Sequence, residues 1–231
     1  MSKPAISGRR SLLLATCLTV VVGLSACDKF SAPKPSSALT FNAVDVSGAD
    51  YARALQLHDV DGKPRSLAEF KGKVVFLFFG FTQCPDVCPT TMAELAEVRR
   101  RLGPDGERVQ GLFVSVDPER DTPAVLKAYL QSMDPSFIGL TGTPQEIEQV
   151  GREFKIFYQK VPTKSGGYTI DHTAGAYVFD TDGQVRLFAR YGMGVDALTA
   201  DIRQLLPARA VGAADSTSGA SPAQPASNVK L

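Results

Sequence analysis

The chain has 231 residues and a nearly balanced charge, with 25 basic and 24 acidic side chains and a formal net charge of +1. Three basic residues fall within the first ten positions, so the rest of the chain carries 22 basic against 24 acidic side chains, a net charge of −2. No basic stripe remains, which argues against nucleic acid as a partner.

The first residues are typical of an export signal, because positive side chains precede a mostly apolar run at residues 11–24. That run is shorter than the roughly 20 apolar residues of a membrane-spanning helix. It ends in Leu24-Ser25-Ala26-Cys27, which resembles the lipobox of bacterial lipoproteins and implies a diacylglycerol on Cys27. An ordinary signal peptide with an incidental cysteine is the alternative. Asp28 resembles an inner-membrane retention signal, so we expect a lipid-anchored protein on the periplasmic face of the bacterial inner membrane.

Composition divides the chain into four parts. A lipoprotein signal peptide at 1–26 is followed by a lipidated tether at 27–50, which is rich in Ser, Ala and Pro and is predicted to be flexible. Residues 51–206 have the length of one domain with one core. Residues 207–231 are predicted to be a disordered tail, since their small side chains bury too little surface to offset the entropy of ordering.

Strand and helix patterns alternate along the middle of the chain, which predicts an α/β layer fold. In chain order they indicate an edge strand at 53–58, a turn at Asp61-Gly62, a central strand at 74–79, a helix from Pro89 to about Leu102, a strand at 112–116, helices begun by Thr122-Pro123 and by Thr143-Pro144, strands at 176–179 and 185–191, and a helix at 198–206. This order predicts a thioredoxin-like fold, with a central mixed sheet flanked by helices and with extra β-hairpins near the N-terminus and late in the chain.

Cys84 and Cys88 form the most informative motif, directly after the predicted central strand. Cys17 lies inside the signal, so these two are the free thiols that remain after export. Their Cys-x3-Cys spacing is one residue longer than the thioredoxin-type redox motif. The following helix N-terminus is expected to favour thiolates, the form that binds metals and attacks disulfides. The pair therefore predicts a soft-metal site or a redox-active disulfide. A structural disulfide or a buried free pair is the alternative.

His172 is the third candidate, because it follows a glycine-rich loop and precedes the predicted strand at 176–179. In a thioredoxin-like fold this segment lies beside the cysteine loop. Two sulfurs and one nitrogen would form a three-coordinate site suited to Cu(I), whereas zinc usually takes a fourth ligand. A partly exposed histidine without a ligand role is the alternative. The other histidine, His58, precedes a turn and is expected to face solvent.

Three motifs together resemble the Sco/SenC family: Phe81–Pro89, Val114–Pro123 and Asp171-His172-Thr173. The resemblance spans about residues 53–206. It implies a membrane-tethered protein that binds copper, as Cu(I) and in a second state as Cu(II), through Cys84, Cys88 and His172. It also implies a metallochaperone rather than an enzyme, which assists assembly of the binuclear copper centre of cytochrome c oxidase as copper donor, as thiol reductant of the target cysteines, or both.

The implied partners are the copper-bearing oxidase subunit and a periplasmic thiol reductant or copper donor. The alternatives are a periplasmic thiol-disulfide oxidoreductase, which needs only the two cysteines, and a copper or redox sensor. Asp117 and Asp121 lie in a strand-to-helix turn whose shape Thr122 and Pro123 already explain. Fold analogy places this turn near the cysteines, so the two carboxylates either serve the turn alone or support the site or a docking surface.

Overall fold

The structure, a computed structural model, describes residues 39–208. The signal peptide, Cys27 and the tail from residue 209 onward lie outside this range. The strands are β1 (Val44–Asp45), β2 (Gln56–Asp59), β3 (Pro64–Ser66), β4 (Val74–Gly80), β5 (Val109–Ser115), β6 (Ile138–Thr141), β7 (Tyr158–Pro162), β8 (Tyr168–His172), β9 (Gly175–Phe179) and β10 (Val185–Arg190). The α-helices are α1 (Val87–Arg101), α2 (Pro123–Gln131), α3 (Pro144–Glu153) and α4 (Val195–Leu205), and short 3-10 helices cover Leu67–Phe70 and Gly103–Arg108.

Eight strands form one mixed sheet in the order β1-β10-β9-β4-β5-β6-β2-β3. Strands β4, β5 and β6 are parallel, while β9 runs antiparallel to β4. Antiparallel hairpins β2–β3 and β9–β10 lie early and late in the chain. The predicted thioredoxin-like fold with a central mixed sheet and added hairpins is confirmed. Strands β7 and β8 form a second sheet of two strands, which the sequence analysis did not separate from the loops around it.

The core lies along β4 and β5, where every residue is buried. The continuous Val, Leu and Phe run of β4 and the shorter run Leu112–Val114 in β5 suit central strands covered on both faces. Complete burial of one such side chain stabilises the folded state by about 1.5–3 kcal/mol. The cysteine loop follows β4 directly and therefore begins from a fully buried strand of the sheet.

Two of the predicted helix starts are confirmed by their hydrogen bonds. At α3, the amide of Glu146 donates to Thr143 Oγ1 at 3.3 Å and the amide of Thr143 donates to Glu146 Oε2 at 2.7 Å, which is a complete capping box. At α2, the amide of Val125 donates to Thr122 Oγ1 at 3.4 Å. Helix α1, in contrast, begins at Val87, two residues before the predicted start at Pro89.

The folded part of the chain begins before residue 51, where the sequence analysis placed its start. Strand β1 pairs with β10, with Val44 opposite Phe188. The buried carboxylate of Asp201 accepts the amides of Asn42 and Ala43 at 2.9 and 2.8 Å. Strand β10 and Asp201 lie more than 140 positions away from these residues in the sequence, so the local composition could not predict the contacts. Between residues 39 and 208, no helix is both long and apolar enough to cross a membrane.

Candidate metal centre

Two sulfurs and one imidazole nitrogen meet beside the carboxyl end of β4. Cys84 lies in the loop between β4 and α1, Cys88 lies in the first turn of α1, and His172 is the last residue of β8. Their ligand atoms all lie within 4.8 Å of one another. Both cysteines are free thiols in this structure. The fold thus brings together the three residues that the sequence analysis singled out, which lie up to 88 positions apart in the chain.

The local backbone places the two sulfurs on the same side of the loop. The amide of Cys88 donates to Cys84 Sγ at 3.4 Å, and the amide of Cys84 donates to the carbonyl of Phe81 at 3.2 Å. Pro89 is tolerated in the first helical turn, because amides there have no intrahelical acceptor. Cys88 is completely buried while Cys84 is partly exposed, so the site has an inner sulfur and an outer one.

Gly80, the last residue of β4, leaves the space that Cys88 occupies. A Cβ atom at position 80 would lie 2.8 Å from Cys88 Sγ and 2.8 Å from the ring of Phe78. Both distances are shorter than real carbon contacts, so a side chain here would displace the inner sulfur. The glycine is therefore required by close approach of the thiol.

We expect Gly80→Ala to destabilise the protein by about 1–3 kcal/mol, the usual cost of an overpacked core, and also to weaken metal binding. Gly139→Ala is the matched control, because its Cβ would lie 2.7 Å from Leu126 and the three atoms nearest to it belong to Leu126 and Leu130, not to a sulfur. Chemical denaturation and metal titration of both variants check the prediction. Equal metal affinity in the two variants would contradict the role assigned to Gly80.

The orientation of the His172 ring is set by its neighbours. Nδ1 lies 3.1 Å from the carbonyl oxygen of Thr173, and since a carbonyl only accepts, Nδ1 carries the proton. Nε2 then presents its lone pair to Cys88 Sγ at 3.4 Å. The rings of Phe78 and Phe81 approach the imidazole edge-on, each with a centroid distance of 5.9 Å. The imidazole is thereby prepared to bind a metal through Nε2.

Burial shifts the pKa values of Cys88 and His172 in opposite directions. It raises the pKa of the Cys88 thiol well above its usual range, and the nearby Cys84 sulfur and Asp121 carboxylate act in the same direction. Burial also lowers the pKa of His172. The helix N-terminus is expected to favour a thiolate at Cys88, but in the metal-free protein burial acts in the opposite direction and raises the pKa of the thiol. The thiol proton leaves when a metal binds.

Asp121 holds the beginning of the cysteine loop. Its buried carboxylate accepts the amide of Thr82 at 3.0 Å, the Thr82 hydroxyl at 2.6 Å and the Ser115 hydroxyl at 2.7 Å. Thr82 is two residues before Cys84, so Asp121 ties the loop to the end of β5. The sequence left open whether this carboxylate serves its own turn alone or supports the site, and the contact with the cysteine loop agrees with support of the site.

Asp117 is fully buried and faces the hairpin β7–β8. It accepts the Tyr168 hydroxyl at 2.9 Å and forms an ion pair with Arg120. The sequence analysis missed Arg120 and Tyr168. An arginine between two acidic residues in the Asp117–Asp121 turn was the available signal. His58 is exposed on β2, as predicted.

Fold and site together define a class of protein: a thioredoxin-like domain in which two cysteines and one histidine could hold a metal. The sequence pattern of the SCO1/SenC family matches residues 45–207. The chain belongs to the SCO1/SenC family.

Two solved structures and one curated relative illustrate the similarity. Bradyrhizobium japonicum ScoI, solved with copper bound, is 45% identical, covers 66% of this chain and 98% of its own, and has a TM-score of 0.61. BsSco is described as a member of the Sco family of cytochrome c oxidase assembly proteins with a disulfide switch. It shares the fold at 24% identity with a TM-score of 0.53, and the match covers 72% of this chain and 97% of its own. The mitochondrial SCO2 homolog of Bos taurus is 37% identical over 155 residues, which is 66% of this chain and 58% of that protein. The chain therefore spans less than two thirds of this curated relative's length.

Proposed function

We propose that this protein is a membrane-anchored copper metallochaperone that assists assembly of the binuclear copper centre of cytochrome c oxidase. One observation carries the proposal: the sulfurs of Cys84 and Cys88 and the Nε2 of His172 lie within 4.8 Å of one another. Two soft sulfurs with one imidazole favour Cu(I), and the same set can hold Cu(II). Family membership supports copper as the cargo and the oxidase as its destination.

The depth of each ligand suggests how copper is taken up and given away. Cys84 and His172 are partly exposed, whereas Cys88 is buried. A partner that presents its own thiolates can reach the outer sulfur and the imidazole first, and the inner sulfur exchanges last. Loading releases the thiol protons, because the thiolate is the ligand.

The anchor and the location are part of the same proposal. Cys27 and the signal at 1–26 lie outside the described residues, and their sequence supports cleavage before Cys27 and a lipid on its sulfur. Each buried methylene of the acyl chains contributes about 0.8 kcal/mol to membrane binding. The domain then faces the periplasm from the inner membrane, where the copper-bearing oxidase subunit and a thiol reductant or copper donor are its partners.

A bacterial strain that lacks this protein tests the proposal. At limiting copper we expect loss of oxidase activity and of the optical signature of the binuclear centre, both restored by the full-length chain or by excess copper. The purified, reduced protein should bind one copper ion per chain. Normal oxidase assembly at limiting copper in the deletion strain would overturn the proposed function.

A periplasmic thiol-disulfide oxidoreductase is the second candidate, and the placement of the cysteines favours it. Cys84 is accessible, and its sulfur lies within 4.8 Å of the Cys88 sulfur. Oxidation would join the two sulfurs in a disulfide and pass two protons and two electrons to a disulfide of the partner, which becomes two thiols. The reverse reaction would reduce the Cys84–Cys88 disulfide and oxidise the partner. The two candidates differ in their need for His172.

A further inference from the structure

The position of His172 relative to the sulfurs depends in part on side-chain contacts. Within residues 39–208, strand β8, which ends at His172, pairs with β7 and forms no ladder with the eight-stranded sheet. Tyr158 lies opposite His172, and the amide of Thr173 donates to the carbonyl of Phe157 at 2.9 Å, so these bonds are internal to the hairpin. Cys84 and Cys88, in contrast, follow the central strand β4. The chain joins β8 to the large sheet through Thr173 and Ala174, which lead into β9, and contacts outside the ladders fix the rest of the hairpin.

Arg120, in the turn between β5 and α2, makes several of these contacts. Its guanidinium stacks over the ring of Tyr168 at 3.8 Å, and its Nη1 donates to the carbonyl of Tyr168 at 2.8 Å. Its Nε pairs with Asp117, whose other oxygen accepts the Tyr168 hydroxyl at 2.9 Å. Arg120 and Asp117 thus hold the backbone, ring and hydroxyl of the first residue of β8, four positions before His172.

The same arginine also reaches the cysteine side of the site. Its guanidinium lies 5.8 Å from the ring centroid of Phe81, and the Phe81 ring in turn meets the imidazole of His172 edge-on. The next residue, Asp121, holds Thr82 at the start of the cysteine loop. One short turn therefore contacts both segments that supply the candidate ligands.

We infer that Arg120 is a positioning residue of the metal centre, which keeps Nε2 of His172 facing the two sulfurs through its contacts with Tyr168 and Phe81. The copper part of this inference rests on the proposed function, while the imidazole geometry does not. A planar guanidinium can stack on a ring and donate several hydrogen bonds in its own plane, and the compact ammonium of lysine cannot. Replacement by lysine keeps the charge beside Asp117 but removes the stack.

The variants Arg120→Lys and Arg120→Gln test the inference in the full chain, with Arg65→Gln as the matched control. Arg65 also pairs with a buried carboxylate, Asp59 at 2.8 Å, and its side chain is 19% exposed against 22% for Arg120. In the metal-free protein, nitrogen NMR of the wild-type imidazole should show one tautomer with the proton on Nδ1. We expect averaged or broadened His172 signals in both Arg120 variants and unchanged signals in the control.

Copper affinity provides the second measurement. Competition with the Cu(I) chelator bathocuproine disulfonate should show a loss of about 10- to 100-fold in the Arg120 variants, as for other residues that orient a metal ligand. The rate of disulfide exchange with a small thiol should stay unchanged. Unaltered imidazole signals and copper affinity in the Arg120 variants would overturn the inference. An equal loss of copper affinity in Arg65→Gln would do the same, as would unfolding of both Arg120 variants while Arg65→Gln stays folded. If wild type binds no copper, the proposed function fails, and the metal-free NMR still decides the role of Arg120.

Discussion

Replacement of either cysteine by serine is expected to abolish tight Cu(I) binding by the reduced protein. One sulfur and one nitrogen form a poor soft-metal site. The affinity should fall by more than about 100-fold, the upper end of the cost of losing a residue that merely supports a ligand. Chelator competition measures this for Cys84→Ser, Cys88→Ser and the double variant.

The two single variants should differ in stability, because the two sulfurs lie at different depths. Cys88 is completely buried and Cys84 is partly exposed. The C–O bond of serine is shorter than the C–S bond of cysteine, so a hydroxyl at position 88 would lie farther than the thiol from Nε2 of His172. A buried hydroxyl without a close partner costs about 1–3 kcal/mol, so only Cys88→Ser should show a clear shift in chemical denaturation. Thr91→Ser, another buried side chain of α1, is the control and should leave copper binding intact. Tight Cu(I) binding by the double variant would rule out the proposed site.

His172→Ala is expected to separate copper delivery from thiol chemistry. Disulfide exchange needs an attacking thiolate and a leaving thiol, and the accessible Cys84 supplies the first without help from an imidazole. Its rate with a small thiol should stay within about twofold. Copper affinity should fall by roughly 100-fold or more, since a ligand costs at least as much as its support. Oxidase assembly should fail at low copper and recover with excess copper.

The other histidine offers a control for this experiment. His58 is exposed on β2, and His58→Ala should behave as wild type in both assays. His172→Gln, which keeps a polar side chain near the carbonyl of Thr173, serves where the alanine variant lacks a native circular dichroism spectrum. Full complementation by a folded His172 variant at low copper would instead favour the thiol-disulfide oxidoreductase.

Features encoded by neighbouring residues could be predicted from the chain alone. The capping box of Thr143 and Glu146 lies within four residues, and the buried strand β4 is visible as an unbroken apolar run. The spacing of Cys84 and Cys88 after that run indicated a dithiol site, and the three family motifs pointed to His172. The helix cap and the buried strand arise from interactions over a few positions. The dithiol site is indicated by the residue type, because cysteine thiols bind soft metals and form disulfides.

Other features depended on contacts between distant parts of the chain. The composition of residues 27–50 predicts a flexible tether, and strand β1 within it was not recognised because its partner β10 lies about 140 positions away. The Asp117–Asp121 turn could be explained locally by Thr122 and Pro123, and only the folded chain shows its carboxylates bound to Tyr168 and Thr82. Such pairings have no local periodicity that a sequence pattern could show.

The sequence by itself determined the family, the α/β layers and the identity of the three candidate ligands. Only the tertiary structure decided their surroundings: Cys88 is a buried thiol whose pKa is raised, and His172 directs Nε2 at it because Thr173 accepts the proton of Nδ1. The helix N-terminus favours a thiolate by a local electrostatic effect that the sequence reveals. Desolvation acts in the opposite direction and raises the pKa of Cys88. It depends on all the atoms that surround the sulfur and therefore on the complete fold.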